Sequence, residues 1–108
     1  MQDKSLKKWA QEIHRIQREL VQLGPMRPGT LTRQYRQPEQ QTGAFYQLSY
    51  TYQGRSRTEY VRESEVEQAR GEVEAYARFK ELTARWVDLA LKSSQRRQKL
   101  DRIQADGK

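Results

Sequence analysis

Basic side chains that could contact phosphate groups are concentrated in two segments of the chain. Residues 24 to 62 carry six arginines against two acids, and residues 92 to 108 carry six basic residues against two acids. A guanidinium group binds phosphate oxygens through two hydrogen bonds and also stacks on aromatic rings. We therefore interpret the following residues as candidate phosphate contacts: Arg33, Arg36, Arg55, Arg57, Arg62, Arg96, Arg97, Lys99 and Arg102.

The charge of the whole chain supports the same interpretation. The 108 residues include 21 Lys and Arg and 14 Asp and Glu, so the net charge is +7 and the isoelectric point is about 9.9. Residues 63 to 91 have the opposite balance, with four basic residues against seven acids. Segregated positive charge indicates a polyanionic partner such as DNA or RNA. The alternative is a solvated charged surface, since 32% charged residues is ordinary for a helical protein.

Residues suited to catalysis or metal binding are few. The single histidine, His14, follows the apolar residue Ile13 and faces outward on a predicted helix, and no cysteine is present to complete a metal site. Most carboxylates fall where helix capping and pairing with nearby basic residues explain them. We therefore expect a non-enzymatic protein with no cofactor, no metal and no small-molecule substrate.

A β-hairpin is predicted between residues 44 and 62. Strand-forming Tyr, Thr, Val and Phe residues precede and follow the polar segment 53 to 56, which is typical of two strands joined by a tight turn. The two-residue turn falls at Gly54-Arg55 or at Gln53-Gly54. Either turn places Val61 on the same face as Tyr46 and Leu48, which we expect to pack on the helices.

The remaining hairpin residues are predicted to be exposed. Arg55 and Arg57 fall next to the turn, so they should lie at the tip of the hairpin. The alternation of side chains along a strand puts Thr58, Tyr60 and Arg62 on the wetter face, opposite the packed one. The hairpin is therefore predicted to present both arginine and tyrosine to a partner.

Two helices flank the hairpin in the prediction. The first has a heptad seam that ends before the helix-stopping pair Gly24-Pro25, and the second opens with the capping pattern of Ser64 and Glu67. The seam consists of Leu6, Trp9, Ile13, Ile16, Leu20 and Leu23. It pairs either with an apolar stripe of the second helix or with a second copy of the chain; the stripe consists of Phe79, Leu82, Trp86 and Leu89.

These elements predict an α+β protein. An N-terminal helix is followed by an antiparallel sheet of two strands, or of three if residues 30 to 36 form a strand, and then by a long helix packed antiparallel on the first. Residues 1 to 91 are predicted to form one domain, and residues 92 to 108 a basic tail that is either a helical extension or disordered. No apolar run approaches the roughly twenty residues of a membrane span, so we expect a cytoplasmic protein with no membrane contact.

The hairpin sequence resembles a family of small bacterial proteins. The chain is similar to a domain of unknown function over about residues 20 to 91. The similar segments are Tyr46-Gln-Leu-Ser-Tyr50, Gly54-Arg-Ser-Arg-Thr-Glu-Tyr-Val61, Gly24-Pro25 and Gly29-Thr30-Leu31. Some members have a cysteine-rich loop of the C-x4-C-x-C type. In this chain, residues 36 to 43 stand in place of that loop and contain no cysteine. The resemblance implies a bacterial protein, for which association with a mobile element is one option. It implies no catalytic residue.

The function expected from the sequence is a non-enzymatic accessory protein that binds nucleic acid, either DNA or RNA. The basic hairpin and the basic C-terminal segment would contact the phosphate backbone, within a mobile-element or phage nucleoprotein complex. The alternative is an adaptor that docks on another protein, or on a second copy of itself, through its coiled helices and its hairpin edge.

Overall fold

The computed structural model describes residues 3–107 and has the predicted α+β architecture. Helix α1 spans Lys4–Gln22, strands β1, β2 and β3 span Thr30–Gln37, Thr42–Tyr52 and Arg55–Val61, and helix α2 spans Val66–Asp106. Contacts divide the chain into two compact units. We call Gly24–Arg78 the sheet unit, and Met1–Leu23 with Phe79–Lys108 the helical unit.

The sheet is antiparallel in the order β1-β2-β3, so the central strand is β2. Residues 30 to 36 are therefore a third strand, and β1 runs on to Gln37. The hairpin closes at Gln53-Gly54, because Tyr52 pairs with Arg55. Gln53 and Gly54 have φ values of 52° and 78°, and positive φ at both central residues is what the type I′ hairpin turn requires.

The core of the sheet unit lies on one face of the sheet. Leu48 is fully buried and packs with Val61 and with Val66 and Ala69 from the first turns of α2. Tyr46 is partly buried against the same cluster. The predicted packing of Tyr46, Leu48 and Val61 is confirmed, since α2 covers this face of the sheet.

Gly29 allows the loop before β1 to approach the core closely. Its φ is +144°, a conformation that residues with a side chain rarely adopt. A Cβ atom at this position would lie 2.9 Å from Cδ1 of Leu48 and 3.2 Å from the carbonyl oxygen of Ser49. The loop therefore requires glycine at this position for both conformational and steric reasons.

In the helical unit, α1 packs antiparallel on the second part of α2. Ile16, Leu82 and Leu89 form its buried core, and Trp9 and Trp86 pack against them. Arg85 of α2 donates to both carboxylate oxygens of Glu12 in α1, at 3.2 and 3.3 Å. Of the two predicted pairings of the heptad seam, the structure shows the one with the stripe of the second helix.

The basic segment after Leu91 continues α2 as far as Asp106. Ser93 is buried, and Arg96 contacts Asp3, which caps α1 by accepting a hydrogen bond from the Leu6 amide at 3.1 Å. The helix therefore keeps packing contacts past its last large apolar seam residue. At the other end of α2, the predicted capping pattern of Ser64 and Glu67 is wrong. Ser64 lies inside a 3-10 turn at Glu63–Glu65, whose N-cap, Arg62, makes no side-chain hydrogen bond. Neither described helix is long and apolar enough to cross a membrane.

Candidate nucleic-acid interface

The five candidate arginines of the sheet unit lie on two faces of the sheet. The inner face carries Leu48, and strand pairing places Arg33, opposite Tyr46, and Arg57, opposite Tyr50, on this face. Arg55 lies opposite Tyr52, again on the inner face. Arg36 and Arg62 follow the alternation to the other side, which we call the outer face.

Arg55 and Arg57 lie at the hairpin tip, as predicted. Both are exposed, and Tyr52, which pairs with Arg55, is 58% exposed. Neither arginine forms an ion pair with a carboxylate of the described chain. Their guanidinium groups are therefore available to an anionic partner.

Arg27, from the same basic segment, has a structural role. Its guanidinium lies 2.9 Å from Oε2 of Glu59 and 5.3 Å from the centre of the Tyr50 ring, and its backbone amide donates to the carbonyl of Glu72. The Tyr50 hydroxyl donates to Oε1 of Glu59 at 2.7 Å. The pKa of Glu59 is lowered by this hydrogen bond first and by the contact with Arg27 second. The same hydrogen bond raises the pKa of Tyr50. The network ties the loop before β1 to the sheet and to α2.

Arg96 and Arg97 of α2 differ in their surroundings. Both line a groove of about 1000 Å³ in the helical unit, together with Lys4 and Lys7 of α1. We call this the basic groove. Arg96 donates to Oδ2 of Asp3 from Nε at 3.2 Å and from Nη2 at 2.9 Å. Arg97 is exposed and forms no ion pair with a described carboxylate.

Lys99 and Arg102 lie away from the basic groove. Both are exposed on α2, and neither is among the residues that line the groove. The structure therefore brings Arg97 together with two lysines of α1 that the sequence analysis did not select. The spacing of Lys4 and Lys7 places them on one side of a helix, but only the contact between α1 and α2 shows which side faces Arg97.

The carboxylates and the histidine are dispersed. Among residues 3–107, no group of three or more His, Cys, Asp or Glu side chains could hold a metal ion. His14 lies on the exposed side of α1 beside Arg15 and Arg18. The pKa values of Asp3 and Glu59 are lowered, and for each of them an arginine and a second hydrogen-bond donor account for the shift.

Residues 6–71 match a protein family described as a domain of unknown function, DUF6788. The matched segment is more than half of the chain. The chain belongs to this family. The DUF6788 segment contains the whole sheet, most of α1 and the first turns of α2, so it includes the hairpin and the contacts of Arg27 with Tyr50 and Glu59. Comparisons with curated proteins and with solved structures found no match.

Proposed function

We propose that this DUF6788 protein is a non-enzymatic accessory protein that binds the phosphate backbone of DNA or RNA. The contacts come from Arg55 and Arg57 at the hairpin tip and from the basic end of α2. The resemblance of the hairpin to small bacterial proteins supports a cytoplasmic role in a mobile-element or phage nucleoprotein complex.

The observation that carries this proposal is the contrast between two sets of basic side chains. Arg27, Arg70, Arg85 and Arg96 are ion-paired with acids of the chain. Eight of the nine candidates form no ion pair with any described carboxylate; they are Arg33, Arg36, Arg55, Arg57, Arg62, Arg97, Lys99 and Arg102. Exposed guanidinium and ammonium groups that form no ion pair within the chain are suited to neutralising phosphates.

Fluorescence anisotropy with labelled duplex DNA, single-stranded DNA and RNA tests the proposal. Binding at about 50 mM salt should weaken steeply as salt is added, with log affinity on duplex DNA falling by about 0.9 per phosphate contact for each unit of log salt. Absence of binding to all three probes at 50 mM salt would refute the proposal.

A pair of charge-reversal variants locates the binding surface. Arg55→Glu with Arg57→Glu should reduce both the affinity and the salt dependence. Arg15→Glu with Arg18→Glu changes the net charge equally, at two exposed positions of α1, and serves as the control. Equal losses in both variants would mean that net charge, and not the hairpin tip, drives binding.

The adaptor remains a second candidate because α2 has exposed apolar side chains. Val87 and Leu91 are 67% and 57% exposed and are spaced four residues apart, so they lie on one side of the helix. Such a strip is suited to docking another helix. If the protein binds no nucleic acid and associates with a protein partner that Val87→Asn with Leu91→Asn no longer binds, the adaptor function is supported.

A further inference from the structure

The outer face of the sheet differs in chemistry from the inner face. Strand pairing places two aromatic residues there, Phe45 and Tyr60, among uncharged polar side chains. The uncharged side chains are Thr30, Thr32, Gln34, Gln47, Ser49, Thr51, Ser56 and Thr58. Among the described strand residues of this face, no side chain is a carboxylate and Arg36 is basic. The strand residues therefore give the outer face a positive charge.

The aromatic residues lie at one end of the outer face, where Tyr60 is exposed and Phe45 is half-buried. The ring centroids of Phe45 and Tyr60 are 6.5 Å apart with 31° between the ring planes, so the rings lie side by side and do not stack on each other. The Tyr60 side chain is 63% exposed. The guanidinium carbon of Arg36 lies 6.0 Å from the centre of the Phe45 ring.

Arginine side chains border the ring pair at both edges of the sheet. Arg36 is in β1, on one side of Phe45. Arg62 follows β3 in an extended conformation, with φ −67° and ψ 147°, so the alternation places it on the same face as Tyr60. Arg36 therefore lies beside the Phe45 ring, and Arg62 lies on the same face two residues after Tyr60. Glu63 and Arg33, one acid and one base, line a small depression next to both rings.

We propose that the outer face binds a single-stranded segment of nucleic acid. Phe45 and Tyr60 stack on unpaired bases, and Arg36 and Arg62 contact the adjoining phosphates. This inference rests on the proposed nucleic-acid function and names the form of the polymer. Aromatic rings on a positively charged surface are the means by which proteins bind single strands without reading their sequence.

Duplex DNA fits this face less well. In a duplex the bases stack on each other, and their flat faces are not open to a side chain, whereas unpaired bases can turn outward onto an aromatic ring. A protein partner also fits less well, because Phe45 and Tyr60 are the only large apolar side chains among the described strand residues of this face and polar side chains surround them. Recognition cores between proteins are larger and depleted in charge.

Toward the hairpin turn, the outer face carries four short hydroxyl side chains. Ser49 and Thr58 lie opposite each other with their oxygens 3.3 Å apart, and the Thr51 and Ser56 oxygens are also 3.3 Å apart. These short side chains do not rise above the sheet. A strand of nucleic acid could therefore cross the face and reach both rings.

The test compares two tyrosines on opposite faces of the same hairpin. Tyr60→Thr removes a ring of the outer face, and Tyr52→Thr removes a ring of similar exposure, 58%, on the inner face. Threonine suits an exposed strand position, and circular dichroism with a thermal melt verifies folding. Affinities are measured by anisotropy with a 12-nucleotide single-stranded DNA, the RNA of the same sequence, and the matching DNA duplex.

The wild-type protein should bind at least one single strand more tightly than the duplex. Tyr60→Thr should weaken single-strand binding by about five- to a hundredfold, the range measured for loss of one stacked base, while Tyr52→Thr changes it less than twofold. A single strand carrying 2-aminopurine gives a direct readout, since its fluorescence falls when the base stacks on a ring. This quenching should diminish in Tyr60→Thr and in Phe45→Val.

Two outcomes would overturn the inference, and they are distinguishable. If the protein binds duplex and single strands equally, or if Tyr60→Thr binds as the wild type does, the outer face is not the binding surface, although the proposed function stands. If no nucleic acid binds at about 50 mM salt, the proposed function fails as well. An equal loss in Tyr52→Thr would assign the stacking to the hairpin tip and refute the outer-face assignment.

Discussion

Arg96 donates two hydrogen bonds to a single carboxylate oxygen of Asp3, 93 residues earlier in the chain. The same Asp3 side chain accepts the Leu6 amide at the start of α1. The Arg96 hydrogen bond, followed by the Leu6 amide, lowers the pKa of Asp3. The pair therefore links the capping of α1 to the far part of α2.

The Asp3–Arg96 pair predicts a loss of stability in acid. The folded-state pKa of Asp3 is below its unfolded value. The ionised Asp3 therefore stabilises the fold above the unfolded pKa, and this stabilisation is lost as the pH falls through the folded pKa. The loss is expected below about pH 4. The urea midpoint of Arg96→Gln should be lower than that of the wild type at neutral pH, and the difference should shrink below pH 4. Lys99→Gln, with the same charge change and no ion pair to a described acid, is the control. A difference that stays constant into acid would contradict the prediction.

Arg96 and Arg97 should separate stability from binding. Arg97→Ala removes an exposed cation of the basic groove, so it should weaken nucleic-acid binding, lower the salt slope by about one and leave the melting temperature unchanged. Arg96→Ala breaks the bond to Asp3, so its main effect should be on the melting temperature. Anisotropy measures the binding of both variants, and thermal melts measure their stability. A melting temperature that falls more in Arg97→Ala than in Arg96→Ala would contradict this division of roles.

Gly29→Ala should destabilise the sheet unit. The added methyl group meets the buried Leu48 side chain and forces a φ of +144° on alanine, and overpacking of this kind costs about 1–3 kcal/mol in the free energy of unfolding. Gly24→Ala is the matched control, since nothing lies within 4 Å of its added Cβ, and it should change the stability by less than about 0.5 kcal/mol. Urea unfolding of the two variants measures both effects, and equal costs would show that the contact with Leu48 is unimportant.

Glu59→Gln should shift the ionisation of Tyr50 to lower pH. The Glu59 carboxylate accepts the Tyr50 hydroxyl at 2.7 Å and holds the proton on the phenol, which raises the pKa of Tyr50. A neutral amide holds that proton less strongly, so the pKa should fall toward its ordinary range. NMR titration of the tyrosine rings follows the change, and Glu63→Gln, remote from this hydrogen bond, should leave the Tyr50 curve unchanged.

Local sequence patterns predicted most of the fold. The heptad spacing from Leu6 to Leu23 and the Gly24-Pro25 stop predicted α1, and strand alternation predicted which hairpin residues share a face. The turn position stayed open, because Gln53 is an unusual residue for a positive φ, and the pairing of Tyr52 with Arg55 decides it. Periodicity shows which residues lie together on an element, but it does not select between two neighbouring turns.

Contacts between distant residues could not be predicted in this way. The apolar seam of α2 ends near Leu91. The helix nevertheless continues, and there Ser93 is buried and Arg96 forms an ion pair with Asp3. Arg27 resembled the other arginines of its segment until the fold placed Glu59 beside it. Composition identified the chain as basic, but only tertiary structure separates the paired arginines from the unpaired ones.

The strand order also has a consequence for solubility. Strand β3 is an edge of the sheet, so one side of its backbone has no partner strand within the sheet, and such edges invite pairing with another copy of the chain. Arg55, Arg57 and Glu59 place three charges along this seven-residue strand, which opposes that pairing. Replacing both arginines with glutamine should therefore increase aggregation, and light scattering would detect it.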